Sequence, residues 1–345
     1  MKNENSNSDL QHPRIDSLQA LLRFAIQQTK SEDAPHESVY EQMDPERRKF
    51  LENALKSWTV DIMEELEKAV KILESAESSV DEKLQSLEMI EELAGDIDLA
   101  NNFLKIGGAN IIILCLNSED SRIKTSAIEL VGEISQNNPF AQSHFTEIDM
   151  IPRLIKFLND SDNNVIKSTL HAISCLVRRY EPALAIYVEK DGLEMILDCI
   201  KRKISEEKIL TKAAFLVDAL SIEFPEVREQ FLKLGAIEIL FYILKESLKC
   251  YDGNYSAKVE HILSALKTLS ESSKAKERLK VIENVQSTLN QILDLCHSKD
   301  ECEEIISHSK YILNIFNNDV GNVSQTTGPP SYQVSIWQDR TKPTQ

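Results

Sequence analysis

The chain has 345 residues, of which 42% are hydrophobic and 6% aromatic, and it contains only nine glycines. Such a composition supports a sizeable helical core and argues against a loop-rich β protein. The net charge of −17, from 39 basic and 56 acidic residues, weighs against broad contact with nucleic acid or an anionic membrane, because phosphate contacts need a cationic surface.

Residues 1–14, "MKNENSNSDLQHPR", are polar, lack the apolar core of a signal peptide and are expected to form a flexible N-terminus. Residues 15–82 read as an N-terminal helical cap. In it "SLQALLRFAIQQT" places Leu18, Leu21, Leu22, Ala25 and Ile26 on one helical face, and "MDPERRKFLENALKSW" follows with Asp44 as N-cap and Pro45 at the first helical position. Leu51, Leu55, Trp58, Ile62, Leu66, Ala69 and Leu73 continue the stripe, with Trp58 as a packing anchor, and residues 75–82 read as a loop.

From residue 83 to about 279 the chain repeats itself. In steps of 43 residues Pro139, Pro182 and Pro225 fall in register, as do Phe145, Val188 and Phe231, then Asp149, Gly192 and Gly235; Leu104 and Gly108 mark a weaker earlier copy. Each unit reads as a short helix after the proline, a turn at Gly or Asp, and a second helix such as "MIPRLIKFL". A polar loop and a longer third helix such as "VIKSTLHAISCLVR" complete it. Glycine at the turn permits a left-handed backbone, which Asp tolerates better than most residues. Three helices with a period in the low forties are the armadillo pattern, whose units bury their apolar faces only by stacking. The expected fold is therefore an all-α armadillo-repeat superhelical solenoid. The longer interval through "KESLKCYDGNYSAK" reads as an inserted loop, residues 280–317 as C-terminal capping helices, and 318–345 as a disordered tail in which Trp337 is a possible short recognition element.

Residues for chemistry are sparse. Gly107-Gly108 sits in no phosphate-binding pattern, the histidines form no metal-type spacing, and Cys296-His297 is the only directly adjacent Cys/His pair. Six scattered cysteines (Cys115, Cys175, Cys199, Cys250, Cys296 and Cys302) read as reduced thiols of a cytoplasmic protein. No enzyme, cofactor or metal site is expected.

The polar side of the third helices is more informative, because in an armadillo stack these helices line the concave groove. Projection of "VIKSTLHAISCLVRR" puts Ile166, Thr169, Leu170, Ile173, Val177 and Tyr180 on one side. Lys167, His171, Ser174 and Arg178 fall together on another. The same exercise exposes Glu129, Glu133 and Gln136 on the preceding repeat, and Asp218 and Glu223 on the next. These are the candidate partner-binding residues.

Several strings together, "LQALLRFAIQ", "DPERRKFLENAL", "ELVGEISQNN", "HAISCLVRRYE" and "TKAAFLVDAL", resemble the cytosolic heat-shock-chaperone-binding proteins. These are armadillo-type nucleotide exchange factors of the seventy-kilodalton heat shock protein (heat shock protein 70). The likeness runs from about residue 16 to 315. It implies a co-chaperone, monomeric by default, that grips one lobe of the chaperone's ATPase domain with its concave face, spreads the two lobes and so promotes ADP release. The residues that carry over are those of the "AISCLVR" helix with Lys167 and His171. The alternative is a non-catalytic armadillo scaffold or adaptor that binds an extended peptide. Nuclear-import adaptors of that kind use Trp and Asn ladders, and here neither tryptophan lies in a repeat.

Overall fold

The computed structural model describes residues 62–297 and 299–317, together with Lys49. The expectations for residues 1–14, for the helices before residue 62 with the Asp44 cap and Trp58, and for the 318–345 tail with Trp337 lie outside the described residues.

Two helices open the described chain, Ile62–Glu74 (α1) and Val80–Ala94 (α2). The start of α2 is set by a capping box: the Ser79 hydroxyl accepts from the Glu82 N–H at 3.3 Å while the Glu82 carboxylate accepts from the Ser79 N–H at 2.7 Å. Four triplets follow: Ile97–Lys105, Gly108–Leu116 and Ser121–Ser135 (α3, α4, α5); Pro139–Glu147, Met150–Phe157 and Asn163–Val177 (α6, α7, α8); Glu181–Glu189, Gly192–Arg202 and Glu207–Glu223 (α9, α10, α11); Pro225–Lys233, Ala236–Leu248 and Ala257–Leu269 (α12, α13, α14). The final helices, Ala275–Val281 (α15), Val285–Cys296 (α16) and Glu303–Asn317 (α17), repeat the triplet order, so the pair expected at 280–317 is preceded by a short first helix. No strand occurs among the described residues, and no helix among them is long and apolar enough to cross a bilayer.

The turn between first and second helices is made in each triplet by one residue in the left-handed region: Gly107, Asp149, Asp191, Gly235 and Asn284, with φ of 96°, 57°, 60°, 80° and 66°. This corrects the sequence reading, which gave the turn to Gly108 and Gly192. Those glycines are the first residues of α4 and α10 and are needed for a different reason. A Cβ on Gly108 would meet the Phe103 ring at 2.5 Å, and one on Gly192 the Tyr187 ring at 2.3 Å. The in-register core aromatics are accordingly Phe103, Phe145, Tyr187 and Phe231, all buried. Val188 is one residue out of step with them.

The third helices lie side by side as one layer, α2 against α5, α5 against α8, α8 against α11, α11 against α14 and α14 against α17. Ile166, Thr169, Leu170, Ile173 and Val177 of α8 are buried, and Tyr180 half-buried, as the projection requires. Polar bonds then join successive triplets. The Asn138 amide donates to Asn101 Oδ1 of α3 at 2.9 Å, Lys203 to Asn163 at 2.7 Å, and Arg278 pairs with Glu238 at 2.7 Å. The apolar core runs without interruption from Leu66 to Ile312, the continuous burial that no single triplet could supply.

Candidate functional site

The candidate surface is built where the outward sides of the third helices meet. On α5, Glu129 and Glu133 are half-buried, and Gln136 is exposed as the residue that ends the helix. On α8, Lys167, His171, Ser174 and Arg178 are all half-buried. Glu129 reaches across to α8 and accepts a hydrogen bond from the Ser168 hydroxyl at 2.8 Å. Glu133 and Glu129 face His171, which also senses Lys212 of α11. The predicted ridges of two successive repeats therefore form one patch.

Its electrostatics follow from crowding in a partly dry setting. Glu91 of α2 has its pKa raised by burial and then by the neighbouring carboxylates of Glu129, Glu133 and Glu88. Burial lowers His171, helped by Lys212 and opposed by Glu133 and Glu129. Cys175, 3.8 Å from the His171 ring nitrogen Nε2, is pushed up to about 11 by burial and the Glu133 charge. It is held as a neutral thiol, the opposite of what a nucleophile needs.

Arg178 has a local architecture of its own. Its guanidinium donates through Nε and Nη2 to Glu223 Oε1 at 3.2 and 3.1 Å, and Glu223 Oε2 accepts from the Arg179 N–H at 3.2 Å. The same guanidinium lies 5.3 Å from the centroid of the Phe215 ring. Arg178 thus links α8 to α11, and the ion pair fixes the spacing of two neighbouring third helices at the patch. Glu223, read from the sequence as a groove candidate, is its partner.

Asp218 belongs elsewhere. It is 9% exposed, and its carboxylate accepts hydrogen bonds from Ser264 Oγ at 2.6 Å and Thr268 Oγ1 at 2.5 Å, both on α14. The sequence reading is corrected here: Asp218 fastens the seam between α11 and α14 and is not presented on the open face. Its partners lie 46 and 50 residues on, beyond the reach of a single-helix projection.

The sequence reading missed an aromatic and apolar strip along the same layer. Phe215 is 39% exposed, Ile222 62% and Tyr311 37%. The Phe215 ring lies 6.0 Å from that of His261, and Lys267 Nζ stands 5.8 Å from the Tyr311 centroid. Apolar residues are assigned to the core by default; their position on the outward stripe of α11 and α17 was the available signal. Among the described residues no group of three His, Cys, Asp or Glu side chains could hold a metal ion. Cys296 is buried and its thiol meets the Tyr251 hydroxyl at 3.2 Å.

Comparison with known proteins agrees with this geometry. Designed armadillo repeat proteins superpose with TM-scores of 0.57 and, for one solved with a (KR)4 peptide, 0.59. Each is 16% identical and covers 73% of this chain, matching 100% and 99% of its own chain respectively. Hsp70-binding protein 1 of Rattus norvegicus is 27% identical over 274 residues, 75% of this chain and 73% of its own. The Hsp70 nucleotide exchange factor FES1 of Eremothecium gossypii is 28% identical over 155 residues, 44% of this chain and 54% of its own. The model of the nucleotide exchange factor Fes1 matches residues 18–103, and that of the SIL1/FES1/HPBP1 C-terminal domain matches 99–220. Those two matches run without a gap through more than half of the sequence, across the helices that carry the patch, and the chain belongs to the SIL1/FES1/HPBP1 family of Hsp70 nucleotide exchange factors.

Proposed function

We propose that this co-chaperone works by holding one lobe of the Hsp70 ATPase domain against its third-helix layer while the bulk of the stack keeps the other lobe away. The observation that carries this reading is the patch itself. Glu129 and Glu133 from α5 and Lys212 from α11 surround His171 on the third-helix layer, and the nearest thiol, Cys175, is held neutral. Such a surface can bind and position a partner without reacting with it. Nucleotide lies between the two lobes, so a factor that prefers them apart weakens ADP binding by its preference for the open state. ATP then enters and the client is released.

The protein is further proposed to act as a monomer in a reducing compartment, the cytoplasm. All six cysteines are free thiols, the usage expected where glutathione keeps them reduced. The test is release of a fluorescent ADP analogue from purified Hsp70 ATPase domain. Saturating protein should accelerate it, and Lys167→Ala should need more protein to reach the same rate. Unchanged release with wild-type protein would remove the exchange reading and leave a scaffold that binds an extended peptide.

A further inference from the structure

The inserted loop at residues 249–256 is docked on the turn that joins α16 to α17. Gly253 makes the tightest approach. Its φ is +81°, and a Cβ there would collide with the Leu295 carbonyl near the end of α16. Further along, Lys299 donates to Asn254 Oδ1 at 3.2 Å, and the Tyr255 N–H donates to Glu301 at 3.4 Å.

Two thiols sit beneath this contact. Cys296 closes α16, Cys302 lies six residues on in the short turn before α17, and both are buried. Cys296 Sγ is 3.8 Å and Cys302 Sγ 3.6 Å from the same Gly253 carbonyl oxygen. The two thiols also hydrogen-bond each other, and the Tyr251 hydroxyl stands 3.2 Å from Cys296 Sγ. His297, Glu301 and Glu303, which flank the cysteines in sequence, are exposed, so the pair lies one layer below the surface.

This arrangement separates an attacking sulfur from a resolving one. The thiolate is the species that attacks, and at Cys296 it would accept hydrogen bonds from the Tyr251 hydroxyl and the Cys302 thiol. Cys302 is pushed up by burial and then by Cys296, so it keeps its proton for the second step. Cys296 attacks one oxygen of hydrogen peroxide, the O–O bond breaks, and a sulfenic acid forms as the first water leaves. Cys302 then attacks that sulfur, the S–O bond breaks, and the hydroxyl departs with the Cys302 proton as the second water. The thiol pair gives up two electrons and the peroxide takes them. The product has no S–H, so the buried Gly253 carbonyl loses both thiol donors and the loop is held less firmly.

We propose that Cys296 and Cys302 form an oxidation site that takes hydrogen peroxide, closes to a disulfide and frees the 249–256 loop from the α16–α17 turn. The site is separate from the chaperone-binding patch.

The test uses full-length Cys250→Ser protein, which lacks the one exposed cysteine. Peroxide should lower its intact mass by about 2 Da, the two thiol hydrogens, and dithiothreitol should restore it. Unreduced trypsin digests should contain residues 281–299 joined to 300–310. Chymotrypsin cleavage at Tyr251 and Tyr255 should quicken several-fold on oxidation and slow again on reduction. Adding Cys302→Ser keeps an O–H beside Gly253 but removes the second sulfur, so both responses should vanish while circular dichroism stays unchanged. A link through another cysteine, or oxygen added to Cys296 or Cys302 without a link, would overturn the proposal. So would a Cys296–Cys302 link that leaves loop cleavage unchanged. No chaperone enters these measurements, so their failure is distinguishable from failure of the exchange activity.

Discussion

Single side chains at the patch divide into those that present themselves and those that hold the layer together. Lys167 is half-buried on the outward ridge of α8, so Lys167→Ala should weaken partner binding and leave the melting temperature within the small range typical of surface changes. Arg178 has the opposite balance. Its bonds to Glu223 and its place over Phe215 are partly shielded, with side-chain exposures of 32% and 20% for the pair. Arg178→Ala should cost about 1–2 kcal/mol in urea unfolding, near the lower end for charge-assisted hydrogen bonds. A double-mutant cycle with Glu223→Ala should return a coupling of about 0.5–1 kcal/mol; zero coupling would mean the pair holds nothing. His171 sets a pH dependence. Its folded-state pKa lies below the usual histidine value because of burial and Lys212. Above the unfolded value of about 6.5 the ring is neutral in both states, and as pH falls through it only the unfolded chain takes the proton. Stability should therefore decline from about pH 6.5 downward, and His171→Gln should decline less over the same range when thermal unfolding is followed.

At the scale of elements, the triplets are joined by features of very different visibility. Gly192 sits on the Tyr187 ring, so Gly192→Ala forces a methyl group into a filled core and should destabilise by about 1–3 kcal/mol. Gly107→Ala should cost less, since there the obstacle is the left-handed backbone alone, with no neighbour nearer than 4.0 Å. Removing the Asp218 carboxylate by Asp218→Ala strands the Ser264 and Thr268 hydroxyls in the seam between α11 and α14, for about 1–3 kcal/mol. Thermal melts of the three variants would rank them. The third helices were legible from their stripes: α8 was read from Val165, two residues inside its observed start at Asn163. The start of α2 was also written in the sequence, as Ser79-x-x-Glu82, but the stretch reads as a loop unless the reciprocal cap is recognised. The turn register was not legible. Two adjacent candidates compete at Gly107-Gly108 and at Asp191-Gly192, and only the aromatic ring beneath the second glycine separates them. Nor was the burial of Asp218, which depends on the rotation of a helix some 50 residues downstream.

For the whole molecule, the stack matters more than any member of it. A continuous core from Leu66 to Ile312 and bonds from one triplet to the next join the third-helix layer into one body, and stiffness of that body is what the proposed lobe separation requires. Softening a seam should therefore lower exchange activity even where no patch residue is touched. Asp218→Ala should reduce the maximal acceleration of ADP release, whereas Lys167→Ala should raise the protein concentration needed to reach it. Titration of the two variants in the same release assay separates positioning from grip.

The most direct measurement is the affinity of the protein for the Hsp70 ATPase domain, free of nucleotide and saturated with ADP, by calorimetry. Linkage requires the ratio of those two affinities to equal the factor by which the protein weakens ADP binding. Lobe separation predicts markedly tighter binding to the nucleotide-free domain, with the two ratios matching. Equal affinity for the empty and ADP-loaded forms would contradict it, because a ligand that binds both states alike shifts nothing.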